Sequence, residues 1–145
     1  MEKRSYLSKY EHELFLLKKV IDYIENNYEE NIRLNDAASI MNMTESYFST
    51  YFKTRTNYNF TDYINIIRLE NSINDIHSTS KNFTEIAFSN GFNNLRTFNR
   101  VFKKYTGKTP SEFSKDASKN SYNIIRKSSI KYHTDSTVNR TLVRP

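Results

Sequence analysis

Apolar residues recur along this chain at spacings of three and four, the period of a helix with one buried face. Between Glu11 and Tyr28, the residues Leu14, Leu17, Ile21, Ile24 and Tyr28 form one such stripe. A shorter helix fits Asn35–Met41, with Leu34, Ala37, Ala38 and Met41 turned inward. Thr44 stands where it can cap the next helix, Glu45–Thr54, in which Tyr47, Phe48, Tyr51 and Phe52 make a thick aromatic face. Over Thr61–His77, Tyr63, Ile64, Ile67 and Ile76 are joined by Ile66, Leu69 and Ile73, a stripe too wide for one face. That width predicts a connector packed on both sides. With only Gly91, Gly107, Pro110 and Pro145 to interrupt helices, the pattern predicts an all-α fold.

The second half repeats the first. Residues 34–43 (LNDAASIMNM) align with residues 83–92 (FTEIAFSNGF), and 48–53 (FSTYFK) with 98–103 (FNRVFK). Further on, Asn57 matches Gly107, and Phe60-Thr61-Asp62-Tyr63 matches Pro110-Ser111-Glu112-Phe113. The turn positions supply a physical check. Gly91 lies between two short helices and Gly107 just past a helix end, where a left-handed residue is common. Their partners are Asn42 and Asn57, and Asn is the next most tolerant residue for positive φ. Ala38 and Ala87 share a place in the repeat, as expected where two helices approach too closely for a larger side chain.

A short helix, a tight turn and a second helix with a polar exposed face is the helix-turn-helix pattern, whose second helix enters the major groove of DNA. The second helices here are Glu45–Thr54 and Asn94–Tyr105. In the latter, Asn93 or Asn94 supplies the cap and Phe98, Val101, Phe102 and Tyr105 face inward, leaving Leu95, Arg96, Asn99 and Arg100 exposed near its start. Arg spans the guanine acceptors, Asn pairs with adenine, and Leu packs on a thymine methyl. The first helix offers Glu45, Ser46, Ser49 and Thr50, mostly short side chains. Lys53, Lys103 and Lys104 lie farther along, as candidates for the phosphate backbone.

Charge sharpens this picture. The chain carries 22 Lys and Arg against 16 Asp and Glu, a net +6, yet residues 91–145 alone hold 12 basic groups against 3 acidic ones. A polyanionic partner is therefore expected on the C-terminal part. Other chemistry is poorly served. There is no Cys, His12, His77 and His133 are isolated, and no metal-ligand motif, P-loop or nucleophile elbow is present. No enzyme activity, metal or cofactor is expected. No apolar run nears the roughly 18 residues of a membrane span. A helical protein-interaction module is the competing reading, supported by 11 Tyr and 10 Phe, most of which fall at core positions of the repeat.

These blocks also resemble a known family. Residues 44–53 (TESYFSTYFK), the connector from Tyr63 through Arg68-Leu69-Glu70, residues 83–92, and above all residues 98–113 (FNRVFKKYTGKTPSEF) are similar to the AraC/XylS transcription regulators. The resemblance implies two helix-turn-helix subdomains joined by a long connector helix within residues 11–116. The first unit is 11–59, the connector 60–77 and the second unit 78–116. It implies a cytoplasmic, nucleoid-associated bacterial regulator that reads two successive major-groove segments of double-stranded promoter DNA. It further implies activation through RNA polymerase. By position, the family's base-facing residues fall on Ser46 and Thr50, and on Leu95, Arg96 and Arg100, with Glu45, Ser49 and Asn99 as added contacts. Three positions depart from the family pattern: Thr50 stands where many relatives have Arg, Asn42 replaces a turn Gly, and Asp75 occupies a usually apolar connector position. One chain holds both reading units, so a monomer is expected. Residues 117–145 do not continue the repeat. They read as a basic polar tail or the start of a further domain, with Tyr122, Ile124, Ile125, Ile130 and Tyr132 as anchors.

Overall fold

The computed structural model describes residues 2–116, and among these there are seven helices and no strand. Helices α1 (Glu2–Asn27), α2 (Leu34–Ile40) and α3 (Glu45–Thr56) build the first unit. Helix α4 (Phe60–Ser78) crosses to the second, made of α5 (Phe83–Ser89), α6 (Leu95–Thr106) and α7 (Pro110–Lys115). Helix α1 begins well before the Glu11 set by its apolar stripe, since no Gly or Pro stops it on the N-terminal side. The short α7 comes from the Pro110–Phe113 repeat block. Pro110 occupies its first turn, where a missing N–H costs nothing. The anchors proposed within residues 117–145 lie outside the described residues, as does His133.

Each unit has its own core, and α4 belongs to both. Phe60, Tyr63, Ile64 and Ile67 enter the first core with Leu17, Val20, Ile21, Ile24, Phe48 and Phe52. Ile66, Leu69 and Ile73 enter the second with Ile86, Phe92, Phe98, Phe102 and Phe113. The wide connector stripe is thus two stripes, one for each unit. Aromatic packing repeats as well. Phe52 meets Tyr63 edge-on at 5.2 Å between centroids, and its repeat mate Phe102 meets Phe113 at 5.3 Å. Tyr47 departs from the expected aromatic face and is 59% exposed. It lies one residue before Phe48, about 100° round the helix, and so points away from the core.

The turns repeat to the level of single hydrogen bonds. Asn42 (φ 53°) and Gly91 (φ 89°) are both left-handed. In the first turn Met43 N–H donates to Ala38 O (3.0 Å) and Asn42 N–H to Ser39 O (3.1 Å). In the second, Phe92 N–H donates to Ala87 O (3.0 Å) and Gly91 N–H to Phe88 O (3.1 Å). Both are complete Schellman closures. Ala38 and Ala87 are fully buried at these junctions. Asn57 (φ 64°) and Gly107 (φ 75°) end α3 and α6, each with a single bond back, to Lys53 O and Lys103 O. The hydroxyls of Thr56 and Thr106 then hold the next turn in the same way, accepting from the Tyr58 and Lys108 N–H groups, both at 3.2 Å.

Candidate nucleic-acid interface

The caps fix where α3 and α6 begin. Thr44 Oγ1 accepts the Tyr47 N–H at 3.2 Å, and Asn94 Oδ1 accepts the Thr97 N–H at 2.8 Å, so Asn94 rather than Asn93 caps α6. From those starting points Phe48, Tyr51 and Phe52, and in α6 Phe98, Val101 and Phe102, go inward. The opposite faces are turned out. Glu45, Ser46, Ser49, Thr50 and Lys53 are all exposed on α3, and Leu95, Arg96, Asn99, Arg100 and Lys103 on α6. Each residue of the first set is the repeat mate of one in the second. The fold therefore brings the candidates of each helix onto one solvent-facing strip.

The two strips differ in chemistry. Helix α3 has Glu45 in its first turn, a negative charge where the helix end is positive. Its Thr50 hydroxyl leans on the Ser46 carbonyl at 3.4 Å, and the Thr54 hydroxyl bonds the Thr50 carbonyl at 2.8 Å. Two of its exposed hydroxyls are thus engaged with its own backbone. Helix α6 carries no acid in its first turn. The positive end of its dipole and the guanidinium groups of Arg96 and Arg100 add with the same sign, which suits an anionic or acceptor-rich partner.

The lysines have company within the chain. Lys103 Nζ lies 3.9 Å from Glu112 Oε2, both exposed, and Lys104 Nζ 3.9 Å from the half-buried Asp62 Oδ2. Exposed pairs of this length are worth about 0–1 kcal/mol, so a phosphate can exchange with either carboxylate. His12, Met43, Thr44 and Tyr47 border an open groove of about 600 Å³ between α1 and the first turn. That groove was not legible in the sequence, because Tyr47 read as core. Among the described residues no group of three or more His, Asp or Glu is placed to hold a metal ion. None of the described helices is long and apolar enough to cross a membrane.

Comparison with known proteins places this geometry. A family model described as a helix-turn-helix domain matches residues 37–116. An uncharacterised helix-turn-helix-type transcriptional regulator of Staphylococcus aureus is 31% identical over 100 residues, 69% of this chain and 13% of that protein. The Msm operon regulatory protein of Streptococcus mutans is 32% identical over 104 residues, 72% of this chain and 37% of that protein. This chain thus spans well under half the length of either relative. The C-terminal domain of the two-component response regulator yesN from Fusobacterium nucleatum superposes with a TM-score of 0.62 at 26% identity. That alignment covers 68% of this chain and 96% of the other.

Proposed function

The chain belongs to the helix-turn-helix domain family, and on that premise we propose that it is a sequence-specific DNA-binding transcription regulator of the AraC/XylS type. One observation carries the reading: two repeated turns present two helices whose matched outer positions are all exposed while their inner positions are core. The DNA-reading unit is residues 11–116, with α3 and α6 entering successive major-groove segments about one helical turn, roughly 34 Å, apart. Ser46, Thr50, Leu95, Arg96 and Arg100 face base edges, flanked by Glu45, Ser49 and Asn99. Lys53, Lys103 and Lys104 neutralise phosphates. The output is activation, by placing RNA polymerase beside the bound site, and one chain binds one site as a monomer.

The test is selection of duplexes from a random pool, followed by titration at rising salt. DNA reading predicts enrichment of a motif with two conserved segments one turn apart, and binding that resists random competitor. Phosphate contacts predict an affinity that falls steeply with salt. Absence of binding at low salt would transfer the assignment to a protein-interaction module.

A further inference from the structure

A cluster outside the reading surface joins the two units. Arg68 leaves the middle of α4 and donates through Nε to Tyr28 O at 2.7 Å and through Nη2 to Glu30 O at 2.9 Å. Both carbonyls follow the last residue of α1, at the negative end of that helix, where no helical donor reaches them. Burial draws the guanidinium's pKa below its ordinary value, so these carbonyls stand in for lost water. Gly91 lies buried against the same spot. A Cβ at Gly91 would sit 2.4 Å from Tyr28 O, 2.8 Å from Arg68 Nε and 3.1 Å from Glu29 Cα.

The repeat provides an internal control for that glycine. Asn42, its mate, is exposed and carries a full side chain at φ 53°. The Schellman turn alone therefore does not demand Gly. The second turn has Gly because the end of α1, from the other unit, lies directly on it. Two turns of α4 beyond Arg68, Asp75 Oδ2 accepts a hydrogen bond from the buried Asn90 side chain at 2.8 Å. One face of α4 thus holds the end of α1 with Arg68 and the turn before α6 with Asp75, and Gly91 lets the two meet.

We propose that Arg68, Gly91 and Asp75 form a clamp that fixes the angle between α3 and α6 and so makes the protein select DNA by the spacing of the two segments it reads. The clamp stands on geometry alone; the selection of spacing rests on the DNA-reading proposal above. One inserted base pair moves the second segment by about 3.4 Å and turns it by roughly 35°. A reader with a fixed inter-helix angle must deform the DNA to follow, whereas a loosened one swings with it.

Two measurements separate the parts. The natural chain has no Cys, so exposed Lys18→Cys and Ser111→Cys take one spin label in each unit. Pulsed electron resonance on DNA-free protein is expected to give one narrow distance, which broadens or shifts in Arg68→Ala and in the milder Arg68→Lys. Narrow, unshifted distances in a folded Arg68→Lys protein overturn the clamp. The second arm uses duplexes enriched by the natural chain, with one base pair added between the segments. The insertion is expected to weaken natural-chain binding by at least about tenfold, and Arg68→Lys binding by less than about threefold. Equal penalties overturn the selection of spacing even where the distances broaden. Failure of the natural chain to enrich any duplex removes DNA reading and spacing selection together, while the distances still decide the clamp.

Discussion

The two units close the same turn with the same hydrogen bonds, yet one of the turns is free and the other is trapped. Asn42 is exposed and carries a full side chain at its left-handed position. Gly91 carries the backbone of Tyr28 and Glu29 within 3.1 Å of where a Cβ would stand. The proposed reading helices diverge too: α3 shows an acid and short hydroxyl side chains, while α6 shows Arg96 and Arg100 beside an acid-free start. Their entry helices differ in how they begin. Helix α2 starts at Arg33 with no side-chain cap, while α5 starts with a full capping box between Asn82 and Glu85. The two units share a scaffold and differ in the side chains set on it. On the proposed reading, the second unit carries the stronger recognition chemistry and the contact that orients the pair.

The most severe break of this contrast is Gly91→Val. Left-handed strain and the clash with α1 together should cost about 3 kcal/mol or more in chemical denaturation. Asn42→Gly, at the free turn, should change stability by no more than about 1 kcal/mol. Similar effects at the two positions would mean that the turns are equally constrained.

Next in size is the asymmetry of recognition. On a selected duplex, Arg96→Ala or Arg100→Ala should remove about 1–3 kcal/mol of base discrimination, and Ser46→Ala or Thr50→Ala clearly less. Lys103→Ala and Lys104→Ala should weaken specific and random duplexes alike and flatten the salt dependence by about one phosphate's share each. Competition titrations at several salt concentrations read all of these. Loss of preference in the Ser46 and Thr50 variants alone would make the first unit the principal reader.

Caps come third. Asn82→Ala should cost about 1 kcal/mol by removing the capping box of α5. Arg33→Asp should stabilise α2 by up to about 1 kcal/mol, since it adds an acceptor where none exists. Urea midpoints check both, and a neutral Asn82→Ala would show that the two entry helices begin alike in energy.

The smallest effect is one of pH. The Thr109 backbone N–H and hydroxyl, and then Lys103, hold the Glu112 carboxyl below its ordinary value. A carboxyl lowered on folding adds stability above its unfolded value, and that share disappears as pH falls through the lowered value. Glu112→Gln keeps an acceptor for the cap but does not titrate there. Its stability should therefore fall less on acidification than that of the natural chain, as urea midpoints over a pH series would show.

Much of this protein is decided within short windows of its sequence. The period of Leu17, Ile21 and Ile24 fixes a helix face. Thr44, Asn59, Asn94 and Thr109 each bond an N–H three residues ahead, and Asn42, Asn57, Gly91 and Gly107 tolerate positive φ. Such features depend on neighbours a few residues away, so the repeat, both turns and both exposed strips could be read directly from the chain. Tyr47 reads as core from the sequence because its aromatic neighbours hide which side of α3 it leaves. Arg68 makes contacts that are not encoded in such a window. It looks like an ordinary charge on an apolar helix, and the carbonyl it bonds lies 40 residues earlier. Asp75 looks like a flaw in the connector until Asn90 is brought to it from 15 residues later. Gly91 shows a turn in the sequence, but only the packed units show that the end of α1 rests on it. Those contacts depend on how two finished units dock on the two sides of α4, which no local period or propensity encodes.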